Sequence, residues 1–237
     1  KNSIGVIKME VCRNTAPDLK FLKNVRNLAN QKNIVLIFDE CTTGFRQCFG
    51  GLHRQIGVKP DLAIFGKALG NGYAITAVAG KREIMETAQK SFISSTFWTE
   101  RIGPTAALAT LEIMRREKSW ETITASGLKM QKGWKDLANS HGLDITVSGI
   151  PAMTTYSFKS NKSATYKTYI TQEMLKKGYL ASTNFYACTA HKDEHINSYL
   201  EALDGIYSTI SKCESGFLNS NNLLEGPICH LDFKRLN

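Results

Sequence analysis

The chain has 237 residues, 42% hydrophobic and 22% charged, which favours an ordinary globular protein and excludes collagen-like, disulfide-rich and wholly disordered classes. Thirty Lys and Arg residues against 21 Asp and Glu give a formal charge of +9, but they are dispersed, so we expect no nucleic-acid partner. No stretch approaches the roughly 18 apolar residues of a membrane span. The opening residues form no apolar leader, and the six cysteines form no C-x-x-C pair. We therefore expect a cytoplasmic protein with free thiols, no bound metal and no membrane association.

The first half of the chain alternates short apolar runs with helical patterns. Strands are predicted at residues 5–10, 34–38, 61–65 and 75–80. Helices are predicted at residues 19–30 and 103–117. The continuous apolarity of residues 34–38 is typical of a strand buried on both faces of a parallel sheet. Strand, helix and strand in this order indicate a βαβ unit and an α/β fold.

Beyond about residue 125 the pattern changes to short strands and longer helices, which indicates a smaller α+β domain. Strands are predicted at residues 145–147, 154–158 and 186–188, and helices at residues 164–177 and 192–212. The predicted division is 1–125, 126–213 and an irregular tail at 214–237. Since the chain begins with Lys and enters an apolar run at once, we interpret it as a piece of a longer protein.

Two polar residues follow buried runs in the first half. Asp39 directly follows residues 34–38, and Lys67 follows residues 61–65 and Gly66. Ligands bind at the carboxyl ends of strands in parallel sheets, and a desolvated lysine there has a lowered pKa and a nucleophilic amine, as a Schiff base requires. The alternatives are a capping Asp and a solvated Lys. An ATPase is disfavoured because the sequence lacks an upstream G-x-x-x-x-G-K-[ST] loop.

Residues 191–195, His-Lys-Asp-Glu-His, match the H-x-x-E-H pattern of a class of zinc proteases. The two histidines would share one helical face and could bind zinc. The alternative is a helix start, because Asp193 and Glu194 would lie near the positive end of the helix dipole. No convincing third ligand follows, so we favour the helix start.

Three segments together resemble the class III aminotransferases, fold-type-I enzymes that use pyridoxal 5′-phosphate (PLP). They are IVLIFDECTTGFR at 34–46, GVKPDLAIFGKALGNG at 57–72 and SSTFWTERIGPTAALATLEIM at 94–114. The similarity runs from residue 5 to about 212 and is nearest to the glutamate-1-semialdehyde aminomutase branch. It implies that residues 1–125 are the C-terminal portion of a PLP-binding large domain, a mostly parallel sheet with flanking helices. Roughly the first two-fifths of such a protein would precede residue 1.

The resemblance also implies roles for individual residues. Asp39 would contact the ring nitrogen of PLP and keep it protonated, so that the ring can accept carbanion electrons. Lys67 would form the Schiff base and move the proton between substrate and cofactor. Cys41 would face the ring, where many relatives have Val. Thr96, with Ser95 as a second candidate, would reach the cofactor phosphate of the neighbouring subunit, which implies a homodimer with shared active sites.

The function implied is amino-group transfer between a small-molecule amino donor and a keto or aldehyde acceptor. Segment 182–191 lacks a Glu that is typical of the aminomutase branch, so an aminotransferase is favoured over glutamate-1-semialdehyde 2,1-aminomutase. Asn184 and Arg13 are candidate substrate-site residues, with an ordinary loop role as the alternative for each. A truncated, non-catalytic PLP-fold module is a further alternative, since the phosphate-binding loop and the aromatic residue stacked on the ring would precede residue 1.

Overall fold

The computed structural model describes residues 4–13, 15, 18–97 and 99–230, and the chain divides into two compact units, Lys1–Thr122 and Ile123–Asn237. A four-stranded sheet forms the centre of the first unit, with strands β1 (Val6–Glu10), β2 (Val35–Asp39), β3 (Leu62–Phe65) and β4 (Ala77–Gly80) in that spatial order. The first three strands are parallel, and β4 is antiparallel to β3. The predicted α/β class with a mostly parallel sheet is therefore confirmed.

The longer helices of the first unit begin at side-chain caps, which satisfy backbone N–H groups that have no partner within the helix. The Asp18 carboxylate accepts hydrogen bonds from the first turn of α1 (Leu19–Gln31). The Glu100 carboxylate does the same for the backbone of α4 (Ile102–Glu117). Two short helices, α2 (Leu52–Ile56) and α3 (Arg82–Met85), and 3₁₀ turns at Lys67–Leu69 and Glu86–Lys90 complete this unit.

A buried carboxylate ties the elements of the first unit together. Asp61 accepts hydrogen bonds from the Leu36 amide at 2.7 Å, Arg26 of α1 at 2.9 Å and Lys81 at 2.7 Å. Burial acts to raise the pKa of Asp61, but these donors outweigh it, so the pKa lies below its ordinary range. Asp61 therefore stays ionised and fixes β2 beside β3.

The second unit consists of helices packed on an antiparallel sheet. Its strands are β5 (Ile145–Ile150), β6 (Met153–Phe158) and β7 (Asn184–Tyr186), in that order, and its helices are α5 (Ser119–Ser140, which begins in the first unit), α6 (Ser163–Lys176) and α7 (Asp193–Glu214). The core is rich in aromatic residues, with Trp134, Tyr156, Tyr166 and Tyr207 almost fully buried. Burial of such large side chains supplies most of the hydrophobic stabilisation of a small domain.

Three expectations for this region differ from the structure. Helix α5 was not among the predicted helices, although Ile123, Met130, Trp134 and Ala138 fall on one buried face. The last strand is Asn184–Tyr186 rather than 186–188, and a 3₁₀ turn at Ser220–Leu223 interrupts the segment predicted to be irregular. Gly127 and Gly133 lower the intrinsic helix propensity of α5, although its buried residues follow a helical period. Among the described residues, no helix has both the length and the apolarity to cross a bilayer.

Candidate active site

The carboxyl ends of β2 and β3 bring Asp39, Cys41 and Lys67 together. The two strands are parallel neighbours, and Asp39 stands opposite Ile64 in the register. The Cys41 amide donates to Asp39 Oδ1 at 3.1 Å. A Cβ atom added to Gly66 would lie 3.5 Å from Cys41 Sγ, so the residue before Lys67 packs against the segment after Asp39. This is the sheet edge where ligands bind in α/β proteins.

Lys67 projects from an unusual backbone position. Its φ is +46°, a left-handed conformation that non-glycine residues rarely adopt and that recurs at functional sites. The exposed side chain reaches back to the turn after β2, where Nζ donates to Thr42 Oγ1 at 2.7 Å. In the described residues Lys67 is exposed, so the partial desolvation considered from the sequence is not seen there.

Asp39 is held as a carboxylate. Its Oδ2 lies 3.0 Å from Lys8 Nζ on β1, and its Oδ1 accepts the Cys41 amide. The hydrogen bond from Lys8 is the largest influence and lowers the pKa of Asp39 below its ordinary value, although partial burial acts in the opposite direction. An ionised carboxylate is the state that keeps a neighbouring ring nitrogen protonated.

Cys41 contributes a neutral, half-buried thiol. Burial raises the pKa of this thiol, and the Asp39 carboxylate raises it further, whereas Lys67 and Lys8 lower it. A thiol with a raised pKa is a poor nucleophile and behaves as a small apolar side chain. Its position between Asp39 and Gly66 fits a packing role.

Glu40, which was not predicted as a site residue, anchors the turn after β2. It is fully buried and accepts hydrogen bonds from Thr43 Oγ1, from the amides of Leu52 and His53 at 2.9 and 2.8 Å, and from His53 Nδ1 at 2.8 Å. Burial acts to raise the pKa of Glu40, but the hydrogen bonds outweigh it and the pKa is lowered. Glu40 therefore holds α2 against the strand end that carries Asp39.

The remaining predicted site residues lie elsewhere. Ser95 and Thr96 are in an exposed loop before α4, where Ser95 Oγ accepts the Phe97 amide at 3.2 Å. Arg13 is exposed after β1 and lies 3.7 Å from the Glu10 carboxylate. Asn184 belongs to the second unit, where its side-chain oxygen accepts a hydrogen bond from the neighbouring strand.

The two histidines of the H-x-x-E-H pattern do not form a helical pair. Helix α7 begins at Asp193, so His191 precedes it and the expectation of a shared helical face is wrong. Nδ1 of His191 accepts the Cys188 amide, and Nδ1 of His195 accepts the Lys192 amide, both at 3.1 Å. Within the described ranges, no group of three or more His, Cys, Asp or Glu side chains is placed to hold a metal ion.

The family model described as Aminotransferase class-III matches residues 14–206. The chain belongs to this family. It is 36% identical over 202 residues to the 3-aminobutyryl-CoA aminotransferase of Cloacimonas acidaminovorans (strain Evry), an alignment that covers 83% of the chain and 49% of the relative. It is 30% identical over 224 residues to the glutamate-1-semialdehyde 2,1-aminomutase of Nitrosopumilus maritimus (strain SCM1), covering 85% of the chain and 53% of the relative. The chain thus spans about half the length of the curated relatives it matches.

Solved structures confirm the fold. The PLP internal aldimine form of the Sphingopyxis sp. MTA144 FumI protein matches with a TM-score of 0.82 and 24% identity, over 93% of the chain and 55% of that protein. An omega-transaminase from Sphaerobacter thermophilus matches with a TM-score of 0.73 and 19% identity, over 83% of the chain and 49% of that protein. The predicted resemblance to class III aminotransferases, within the PLP fold-type-I enzymes, is therefore confirmed.

The residues at the sheet edge fit PLP. A pyridine ring needs a carboxylate for its nitrogen, which Asp39 offers in ionised form. The aldehyde group of PLP needs an amine with which to form a Schiff base. Lys67, two residues after the end of β3, offers that amine. Lys8 and Thr42, which touch these two groups, were not predicted. Only Lys8 carries a signal in the sequence, as a charged residue within an apolar strand pattern.

Proposed function

We propose that the protein is a PLP-dependent aminotransferase that moves an amino group from a small-molecule donor to a keto or aldehyde acceptor. The observation that carries this proposal is the placement of an ionised Asp39 and the Lys67 amine at the carboxyl ends of two parallel neighbouring strands. Membership of the class III family supports it. The name of the 36% identical relative also favours transfer between separate molecules.

When bound, PLP supplies an electron sink for the substrate carbanion. In the proposed reaction, the Asp39 carboxylate holds a proton at the ring nitrogen. Lys67 Nζ is the amine that would hold the cofactor through its aldehyde group, and as a free base it would take the substrate α-proton and return it at another carbon. Thr42 Oγ1 holds Nζ near the end of β2 between these steps.

The remaining roles belong to the same proposal. Cys41 packs beside the cofactor ring. Thr96 and Ser95 bind the cofactor phosphate across a homodimer interface, which the exposure of their loop allows. Arg13 and Asn184 contact the substrate. In this proposal residues 1–125 are the C-terminal portion of the cofactor-binding domain, residues 126–213 are the small domain, and residues 214–237 are its tail. The proposed location of the protein is the cytoplasm.

An aminomutase is the second candidate, favoured by the 30% identical relative. An aminomutase needs neither a separate donor nor a separate acceptor, whereas an aminotransferase needs both. Conversion of glutamate 1-semialdehyde without any added partner therefore distinguishes the two. A non-catalytic module is disfavoured because it would have no use for the Lys67 amine.

The experiment that tests the proposal compares Lys67→Ala with Lys90→Ala, an exposed lysine of the same unit. Amino transfer from a panel of amino donors to keto acceptors is measured on the PLP-loaded full-length protein. Loss of the proton-transfer group is expected to lower kcat by at least about 100-fold in Lys67→Ala. The Lys90→Ala protein should retain wild-type turnover. Equal turnover of the two variants would refute the assignment.

A further inference from the structure

Lys8 is a charged residue inside an apolar strand. Val6, Lys8 and Glu10 alternate along β1 on its more exposed face, whereas Ile7 and Met9 are half-buried. In the parallel register, Glu10 stands opposite Asp39 and Lys8 lies two positions earlier. The Lys8 side chain extends along the sheet to the Asp39 carboxylate, 3.0 Å from Oδ2. The lysine therefore reaches the site from a strand that otherwise serves only as scaffold.

The charges around Asp39 are unevenly distributed. Lys8 from β1 bonds it directly, Glu10 of the same strand adds a negative charge nearby, and Cys41 is a neutral thiol. Lys67 influences Cys41, but its Nζ is bonded to Thr42. Lys8 is thus the cation that offsets the Asp39 charge.

We propose that Lys8 is a positioning residue, which shares the Asp39 carboxylate with the cofactor ring nitrogen and so weakens the protonation of that nitrogen. The inference rests on the proposed function. The geometry gives the reason, since Oδ1 is engaged by the Cys41 amide and Oδ2 by Lys8. A ring nitrogen that approaches this carboxylate also meets the ammonium group. A nearby like charge disfavours a protonated ring, and a carboxylate already paired with a cation attracts the ring proton less.

The Lys8 charge would therefore set how strongly the cofactor ring withdraws electrons from the substrate. A fully protonated ring withdraws carbanion electrons strongly, whereas a partly protonated ring does so less. Removing the Lys8 charge leaves Asp39 free for the ring nitrogen. Both the loss of repulsion and the gain of an unshared carboxylate raise the ring nitrogen pKa, so the two effects act in the same direction.

The test uses full-length apoprotein reconstituted with PLP labelled with ¹⁵N at the ring nitrogen. The ¹⁵N chemical shift is followed against pH in the wild type, in Lys8→Met, which keeps the length without the charge, and in Lys8→Arg, which keeps the charge. We expect the protonation midpoint to rise by about one pH unit or more in Lys8→Met, the size typical of one close charge. Lys8→Arg should stay near the wild type.

A midpoint in Lys8→Met equal to or below the wild-type value would overturn the proposal. So would a wild-type ring that stays fully protonated up to the pH limit of the protein. In an Asp39→Asn background, Lys8→Met should shift the midpoint less than it does in the wild type, because the two substitutions act on one interaction. If Lys67 of the wild type captures no PLP, the proposed function itself fails. If PLP is captured and the variants behave alike, only the role of Lys8 fails.

Discussion

Glu40 gives the sharpest prediction about stability. The carboxylate is fully buried and accepts four hydrogen bonds, two at each oxygen. At each oxygen one of the two donors is a backbone amide, Leu52 N–H at Oε2 and His53 N–H at Oε1. Backbone amides cannot change from donor to acceptor. In Glu40→Gln, whichever way the amide is turned, its NH₂ group faces one of these N–H groups.

The magnitude follows from this geometry. Glu40→Gln leaves one buried N–H without its acceptor, at about 1 to 3 kcal/mol, and weakens the remaining hydrogen bonds because their acceptor is no longer charged. Thr43 and His53 Nδ1 can adapt, because a hydroxyl rotates and an imidazole changes tautomer. We therefore expect the free energy of unfolding to fall by about 2 to 4 kcal/mol.

The assay is urea unfolding of the wild type, Glu40→Gln and the exposed-site control Glu83→Gln. Hydrogen exchange of a peptide covering residues 50–56 reports locally, since the Leu52 and His53 amides should exchange faster in Glu40→Gln alone. Because the pKa of Glu40 is lowered on folding, its contribution is complete above the ordinary value of 4.5 and is lost as the pH falls through the folded value. The difference between Glu40→Gln and the wild type should therefore shrink in acid. A loss below about 0.5 kcal/mol at neutral pH, the size of an ordinary surface substitution, would show that the Glu40 hydrogen bonds do not stabilise the fold as described.

Two further predictions concern glycine packing and thiol reactivity. Gly127→Ala should lower the thermal midpoint strongly, because the added Cβ would lie 1.8 Å from the Pro151 carbonyl oxygen. Gly205 is at an exposed helix position where an added Cβ would meet nothing within 4 Å. Gly205→Ala should therefore raise the free energy of unfolding by about 0.5 to 1 kcal/mol. Equal melting of the two variants would contradict the packing at Gly127. Cys41 of the apoprotein should react with iodoacetamide more slowly than the exposed Cys188 at pH 7, and faster as pH rises, because burial raises its pKa. Mass spectrometry of the alkylated peptides measures both rates, and preferential labelling of Cys41 at pH 7 would count against a buried thiol.

The sequence predicts the central sheet well because its strands carry strong local signals. The predicted strand at 34–38 stops one residue before Asp39, and the observed strand β2 covers Val35–Asp39. Helix α5 was missed because Gly127, Gly133 and several Ser and Thr residues lower its intrinsic helix propensity, although its buried positions recur at helical spacing. Tertiary packing, such as Trp134 against Tyr156, stabilises the helix there.

The candidate site was predicted in part. Asp39 and Lys67 were found from strand ends and motif spacing, and the structure places them at neighbouring strands. Thr42 and Lys8 were not found, because their roles depend on the parallel register and on where two long side chains reach. Neither property can be inferred from spacing along the chain.

We expect Lys67 to be the residue that captures PLP beside Asp39. Full-length protein is incubated with PLP, its visible absorbance is recorded, and the adduct is fixed with borohydride and located by peptide mapping. We predict a visible band in the wild type and a reduced pyridoxyl group on Lys67 in the peptide that contains GKALGNG. An adduct confined to other lysines, or no band at saturating PLP, would contradict the assignment of Lys67.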